Sequence, residues 1–333
     1  MFSGDRKGFY LAACISVILA LCSTLVGCSR GAKGGLSWVQ VRGPLDKQEI
    51  ISLCFSVKEG ILYAGTNGEG VWGYREGEWQ RVGEGFQGFP VFSLLWDEGN
   101  STLYAAAGER GVWKFDGEAW EDTGCPQAVY LLALDAGRGV LFAGTNRGVW
   151  AFSEEEWKPT EGLSGERVRS LCWEEGRGWL FAGTDHGLWL YTGVFWLPVG
   201  GRLRDRPVIS LAYDRCKDVL FVGTEKEALW AYREGTWELI PEGPQDNPIN
   251  SLACDAELGI LVAGTEYGVW VFDGERWINT GGEIKEFVTT AVAIDRWANK
   301  IFAGVLEDAG VWEAGLGELY CLGNAEEESG HGR

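Results

Sequence analysis

Residues 129–157 read VYLLALDAGRGVLFAGTNRGVWAFSEEEW. The stretch holds four short apolar runs, rich in Val, Leu, Phe and Trp, separated by glycine-containing or charged turns, which is the pattern of short β-strands. The link Thr145-Asn146-Arg147-Gly148 is too short for a crossover helix, as is Thr184-Asp185-His186-Gly187 in the next copy. Neighbouring strands must therefore pair as antiparallel hairpins.

The same phrase recurs along the chain with the consensus V-x-S-L-x-x-D, a turn, L-F-A-G-T, a short link, G-V-W-x-Y, an acidic turn, and a Trp opening a last strand. The third-strand tryptophans are Trp72, Trp113, Trp150, Trp189, Trp230, Trp270 and Trp312. Those of the last strand are Trp38, Trp79, Trp120, Trp157, Trp196, Trp237 and Trp277, spaced by 41, 41, 37, 39, 41 and 40 residues. Fourteen of the 18 tryptophans thus occupy two repeat positions, which assigns them to packing rather than to one site. Units of about 40 residues with four antiparallel strands are the blades of a β-propeller. The predicted fold is all-β, a seven-bladed propeller over 37–322. Because Trp38 precedes the first complete copy, the N-terminal strand around it is expected to close the last blade. Residues 315–322 also align with the Trp strand, with Leu319 in the Trp place, giving 29 candidate strands for 28 positions. Either this copy adds an edge or it displaces the N-terminal one.

Composition bounds the function. The 333-residue chain carries 48 acidic and 29 basic residues, a net charge of −19, which argues against nucleic-acid binding and against charge-driven attachment to anionic lipid. The two histidines, His186 and His331, leave little room for a Ser-His-Asp triad or a His-rich metal site, so no metal and no cofactor are expected. Residues 1–27 have the form of an export signal: Arg6 and Lys7, an apolar run from Phe9 to Leu21, and the exit Leu25-Val26-Gly27-Cys28. This exit resembles a bacterial lipobox, which implies acylation of Cys28, a flexible tether over 28–36 and an extracytoplasmic body held to a membrane through lipid alone. The competing reading is an uncleaved membrane anchor. The acidic residues 323–333 are expected to be a disordered tail.

The V-x-S-L-x-x-D, L-F-A-G-T and G-V-W phrases, over residues 38–322, resemble the two-component regulator propeller repeats of extracytoplasmic sensor regions in bacterial signalling proteins. The resemblance implies a propeller and a sensing or ligand-binding role. Such regions commonly sit on a membrane-spanning kinase or regulator, whereas this chain is expected to end after its propeller. WD40 repeats fit less well, because Trp96-Asp97 is a single such dipeptide and lies in a first strand. The sialidase Asp-box order is absent from the turns.

In a propeller, the turns between strands two and three share a face with the blade-to-blade loops, and function belongs where the repeats differ. Arg202, Arg204 and Arg206 fall on one such loop and could clamp a carboxylate, an anionic glycan or an acidic protein patch; a solvated charged loop is the alternative. Phe86 and Phe89, in the loop before blade 2, are either exposed anchors or plugs between blades. His186 reads first as a turn residue and second as a ligand, and Tyr267 occupies the corresponding turn of a later copy. Gly65-Thr66-Asn67-Gly68-Glu69-Gly70 is not a phosphate loop, since it opens no helix and Glu69 would repel phosphate. Cys54, Cys172 and Cys254 fall in repeat registers held elsewhere by apolar residues, and Cys125 and Cys216 are predicted on opposite faces, so no disulfide is expected. The functional expectation is a monomeric, non-enzymatic recognition module for a protein partner or extracellular ligand. An assembly scaffold for a membrane complex and a propeller lyase or glycosidase using paired carboxylates and Tyr267 are the alternatives.

Overall fold

Each copy of the repeat forms one antiparallel four-stranded sheet, and seven such sheets follow one another in the computed structural model. It describes residues 35–226, 229–244, 247–306 and 309–319. The signal segment, Cys28 and the tail 323–333 lie outside the described residues. Within a blade we label the strands A to D from first to last. Blade 1 runs Ile50–Ser56, Ile61–Glu69, Val71–Arg75 and Glu78–Arg81. In blade 7 strands A to C are Thr289–Asp295, Lys300–Val305 and Val311–Gly315, and strand D is supplied by Val39–Gln40 from the other end of the chain.

The consensus letters each have a local cause. The Asp ending strand A caps the following A–B turn: Asp214 accepts the N–H groups of Cys216 and Lys217 at 2.9 and 3.0 Å, and Asp255 those of Glu257 and Leu258 at 3.0 and 2.9 Å. The Thr ending strand B closes the B–C turn, as when Thr184 donates to the Gly187 carbonyl at 3.2 Å and accepts the His186 N–H at 3.1 Å. The Ser of strand A ties blade to blade, with Ser52 donating to the Val91 carbonyl, Ser170 to Val208 and Ser210 to Ile249. Glycine before the strand B Thr is required by that close approach. A Cβ on Gly183 would lie 2.2 Å from Ser170 Oγ and 2.5 Å from the Val208 carbonyl.

The strand D tryptophans work from the outer edge. In blades 2, 4 and 5 the indole reaches back to the preceding blade, Trp120 donating to the Val82 carbonyl at 2.7 Å, Trp196 to Thr160 at 3.1 Å and Trp237 to Val199 at 3.1 Å, whereas the Trp79 and Trp277 N–H groups have no such acceptor. Trp38 makes the same contact with Thr280 of blade 6 at 3.1 Å, across 242 residues of sequence. The N-terminal strand therefore closes the ring in the register of the other six. On the inside, Thr290 donates to the Ile50 carbonyl, joining blade 7 to blade 1. The core lies between blades: Phe181 and Leu188 of blade 4, for example, pack with Val208, Leu220 and Trp230 of blade 5.

Three expectations are corrected. The tether does not extend to residue 36: Gly35 bridges Gly281, and Leu36 is only 2% exposed, with its N–H on the Thr280 carbonyl. Residues 315–322 do not supply another strand D as far as they are described. Val39–Gln40 already pairs with the outer edge of Val311–Gly315, so Leu316–Glu318 turns as a 3-10 segment and buries Leu316 and Leu319 in the blade 6–7 core. The strand beyond 28 is instead Gln87–Pro90, from the loop after blade 1, which pairs with Asn67 and Glu69 of strand B.

Candidate functional site

The B–C turns and D–A loops share one face, as predicted: the Gly148 N–H donates to the Glu166 carbonyl at 2.8 Å, the Asp205 N–H to His186 at 3.4 Å and the Gly310 N–H to Gln48 at 3.1 Å. We call this the loop face. Where strand A starts beneath it, six of the seven blades break register at the second residue, between Ile50 and Ser52 in blade 1 and at the matching places in blades 3 to 7. Such a bulge leaves one residue outside the ladder and re-aims its side chain. The position holds Ile51, Phe92, Tyr130, Arg169, Ile209, Asn250 and Thr290, all of intermediate exposure. Blade 2 keeps its register, with the Phe92 N–H on the Ala106 carbonyl. The residue before it is Val or Ile in six blades and the one after it Ser in five, whereas this position holds six residue types.

The bulge residues engage the turns above them. Asn146 donates to the Tyr130 hydroxyl at 3.3 Å, Phe92 meets Tyr130 edge-on at 5.1 Å, and Arg169 pairs with Asp185. Next to Asp185, His186 Nδ1 lies 2.9 Å from Glu166. The Glu166 carboxylate holds the imidazole above its usual pKa, with Asp185 and Asp205 adding to the effect. Outward from this pair a cleft of about 570 Å³ opens on blade 4, between the loops that enter and leave it, lined among others by Glu166, His186, Trp189, Pro198, Arg204 and Asp205.

The predicted residues scatter over this face. The arginine loop turns through a 3-10 segment, Gly201–Leu203, and is pinned by the fully buried Leu203, leaving Arg202, Arg204 and Arg206 exposed. Of the three only Arg204 lines the cleft, where it joins His186. Phe86 is not an anchor: it is 3% exposed and packs edge-on against Trp120 and Trp113, at 4.8 and 5.7 Å, because it plugs the junction of blades 1 and 2. Phe89 is 40% exposed with the Arg110 guanidinium 4.3 Å above its ring. Tyr267 stands 61% exposed on the blade 6 turn, outside the cleft. Sequence reading missed Glu166, Trp189, Asp205 and the bulge ring. The ring was visible as the unspecified letter of V-x-S-L, the position where identity never settles.

The opposite face is built differently. Its A–B turns are joined across blades by ion pairs, Arg177 with Asp218, Arg215 with Glu257 at 2.8 Å, and Arg296 with Asp255 at 3.0 Å. Arg177 and the Tyr213 hydroxyl bring the Asp218 carboxyl down to about 2. Cys54, Cys125, Cys172, Cys216 and Cys254 are all free thiols, and burial pushes Cys54 and Cys172 up to about 12. Among the described residues no group of His, Cys, Asp and Glu could hold a metal ion.

The fold has solved counterparts. The extracellular domain of a putative hybrid two-component system from B. thetaiotaomicron superposes with a TM-score of 0.68 at 19% identity, over 84% of this chain and 39% of that one. A GH74 xyloglucanase from Xanthomonas campestris gives 0.69 at 17% identity, over 84% and 54%. The WD40 repeats of RRP9 give 0.66 at 12% identity, over 85% and 99%. This chain thus spans about two fifths to a half of the first two structures, and the likeness is one of fold. No family model and no curated relative matches the chain.

Proposed function

We propose that the protein is a lipid-anchored, extracytoplasmic recognition module, without enzymatic activity, that binds a ligand or partner protein on its loop face. One observation carries this reading. The scaffold repeats its residues blade after blade, but at the bulge position six residue types occur in seven blades, and together with the adjoining loops they surround the end of the ring. Unrepeated chemistry on a repeated frame is how such scaffolds carry specific sites. The lipobox at Leu25–Cys28 supports anchoring, and no helix among the described residues is long and apolar enough to cross a membrane. The superposition on an extracellular two-component-system domain supports a sensing role outside the cytoplasm.

The test uses the full lipidated chain in its native membrane, with a photo-crosslinking residue at Arg202 or Tyr267 on the loop face, or at the 74% exposed Trp297 on the opposite face. Capture confined to the two loop-face sites is expected; equal or exclusive capture at Trp297 overturns the reading. Cys28→Ala should release the chain from the membrane fraction. Xyloglucan incubated with the protein should give no shorter products, and hydrolysis would transfer the site to the glycosidase class.

A further inference from the structure

The cleft on blade 4 has a charge pattern that selects among ligands. His186 and Glu166 answer each other at 2.9 Å. Arg204 and Asp205, adjacent and exposed on the next loop, also line the cleft, and neither side chain has a hydrogen bond or ion pair with another described residue. One cation and one anion without a hydrogen-bonded partner among the described residues therefore sit side by side, the anion near enough to His186 to help raise its pKa.

A third open group is the Trp189 indole N–H. In blades 1, 2 and 7 the equivalent Trp72, Trp113 and Trp312 donate to turn carbonyls of Glu69, Arg110 and Ala309, at 3.1, 2.9 and 3.0 Å. Those B–C turns place three or four residues between the end of strand B and the turn glycine; the blade 4 turn, Thr184 to Gly187, has only Asp185 and His186. In the shorter turn the equivalent His186 carbonyl takes the Asp205 N–H, and the Trp189 indole, like those of Trp230 and Trp270 in blades 5 and 6, has no hydrogen bond to a described residue; Trp189 alone of these three lines the cleft. Trp189, Leu188 and Pro198 supply the apolar lining.

We propose that this cleft binds a small zwitterion of the α-amino-acid type with an apolar side chain. Arg204 and the Trp189 N–H take its carboxylate, Asp205 takes its ammonium, and the side chain lies against Trp189 and Pro198. Charge-assisted bonds to an ionised partner are the strong ones, and the cleft presents one of each sign. Total charge favours the same class: a chain of net charge −19 repels a simple anion at long range, whereas a zwitterion carries no net charge. This inference rests on the reading of the loop face as the recognition surface.

The experiment is calorimetric titration of the detergent-solubilised full chain with L-leucine, with 4-methylpentanoate, which lacks the ammonium, and with 3-methylbutylamine, which lacks the carboxylate. Leucine is expected to bind at least about tenfold more tightly than either. Arg204→Ala should weaken leucine by about tenfold or more, and Asp205→Asn should bring leucine down to the level of 4-methylpentanoate. Both residues are exposed, and unchanged melting temperatures will show that both variants are folded. Absence of leucine binding, binding unaltered in both variants, or 4-methylpentanoate binding as tightly as leucine overturns the proposal. If leucine fails while Arg202 and Tyr267 still crosslink a partner, the ligand class falls and the recognition face stands. Failure of crosslinking beside intact leucine binding says the reverse of the partner.

Discussion

The two faces of the ring are made by the same repeat and yet obey different rules. On the A–B face, the acidic residue ending strand A turns inward to cap backbone N–H groups, and long-chain arginines bridge one blade to the next. The capping carboxylates and the bridging arginines there have their partners inside the protein. On the loop face the bulge position holds six residue types in seven blades, and the Arg204 and Asp205 side chains and the Trp189 indole N–H have no hydrogen bond to another described residue. A face whose polar groups satisfy one another contributes to stability; one that leaves them open can contribute to binding.

The contrast can be broken by measurement. The largest effect should follow loss of the closing strand: Trp38→Ala removes a buried indole and its bond to Thr280, and should cost about 3–5 kcal/mol in chemical denaturation. A loss below about 1 kcal/mol would mean that blade 7 closes without this strand. On the capping face, Asp214→Ala leaves the Cys216 and Lys217 N–H groups without their acceptor, with an expected cost of about 1–3 kcal/mol. On the loop face, Tyr267→Ala and Arg202→Ala should stay within about 0.5 kcal/mol of the parent. If these proved as costly as Asp214→Ala, the division between a structural and a binding face would fail.

The finest test is a titration. His186 and His331 are the two histidines, so proton NMR can follow His186 directly. Glu166 raises its pKa above the usual 6.5, so the pair stabilises the folded state below the unfolded pKa, and this contribution is lost as pH rises through the raised value. Glu166→Gln should move the His186 midpoint down toward 6.5. A midpoint that does not move would show that the 2.9 Å contact is not made in solution.

Much of this molecule was legible because its repeat is periodic. Trp38 precedes the first complete copy of the repeat, yet its spacing of 41 residues from Trp79 carried the register that places it in strand D of blade 7. Phe86 and Phe89 show where that legibility ends. They stand three residues apart in one glycine-rich loop with no pattern to separate them, but Phe86 fills the space beside Trp120 while Phe89 stays outside under Arg110. The Leu319 copy fails for a related reason: its apolar pattern suits a strand, and the edge it would pair with is already taken by Val39–Gln40.

The sequence by itself determined the strands of the repeat, their hairpin order and the number of blades, since these follow from local periodicity and from which residues cap turns; which of the two end copies closes the ring was decided by the pairing of Val39–Gln40. Tertiary structure decided what no periodicity encodes: which side of a bulge a side chain takes, which polar groups find partners, and that Glu166, His186, Trp189, Arg204 and Asp205, drawn from separate turns and strands, border one cleft. The physical reason is that packing and hydrogen bonding within a blade are nearest-neighbour effects, written in one repeat. A site between loops depends on gaps left when neighbouring repeats differ.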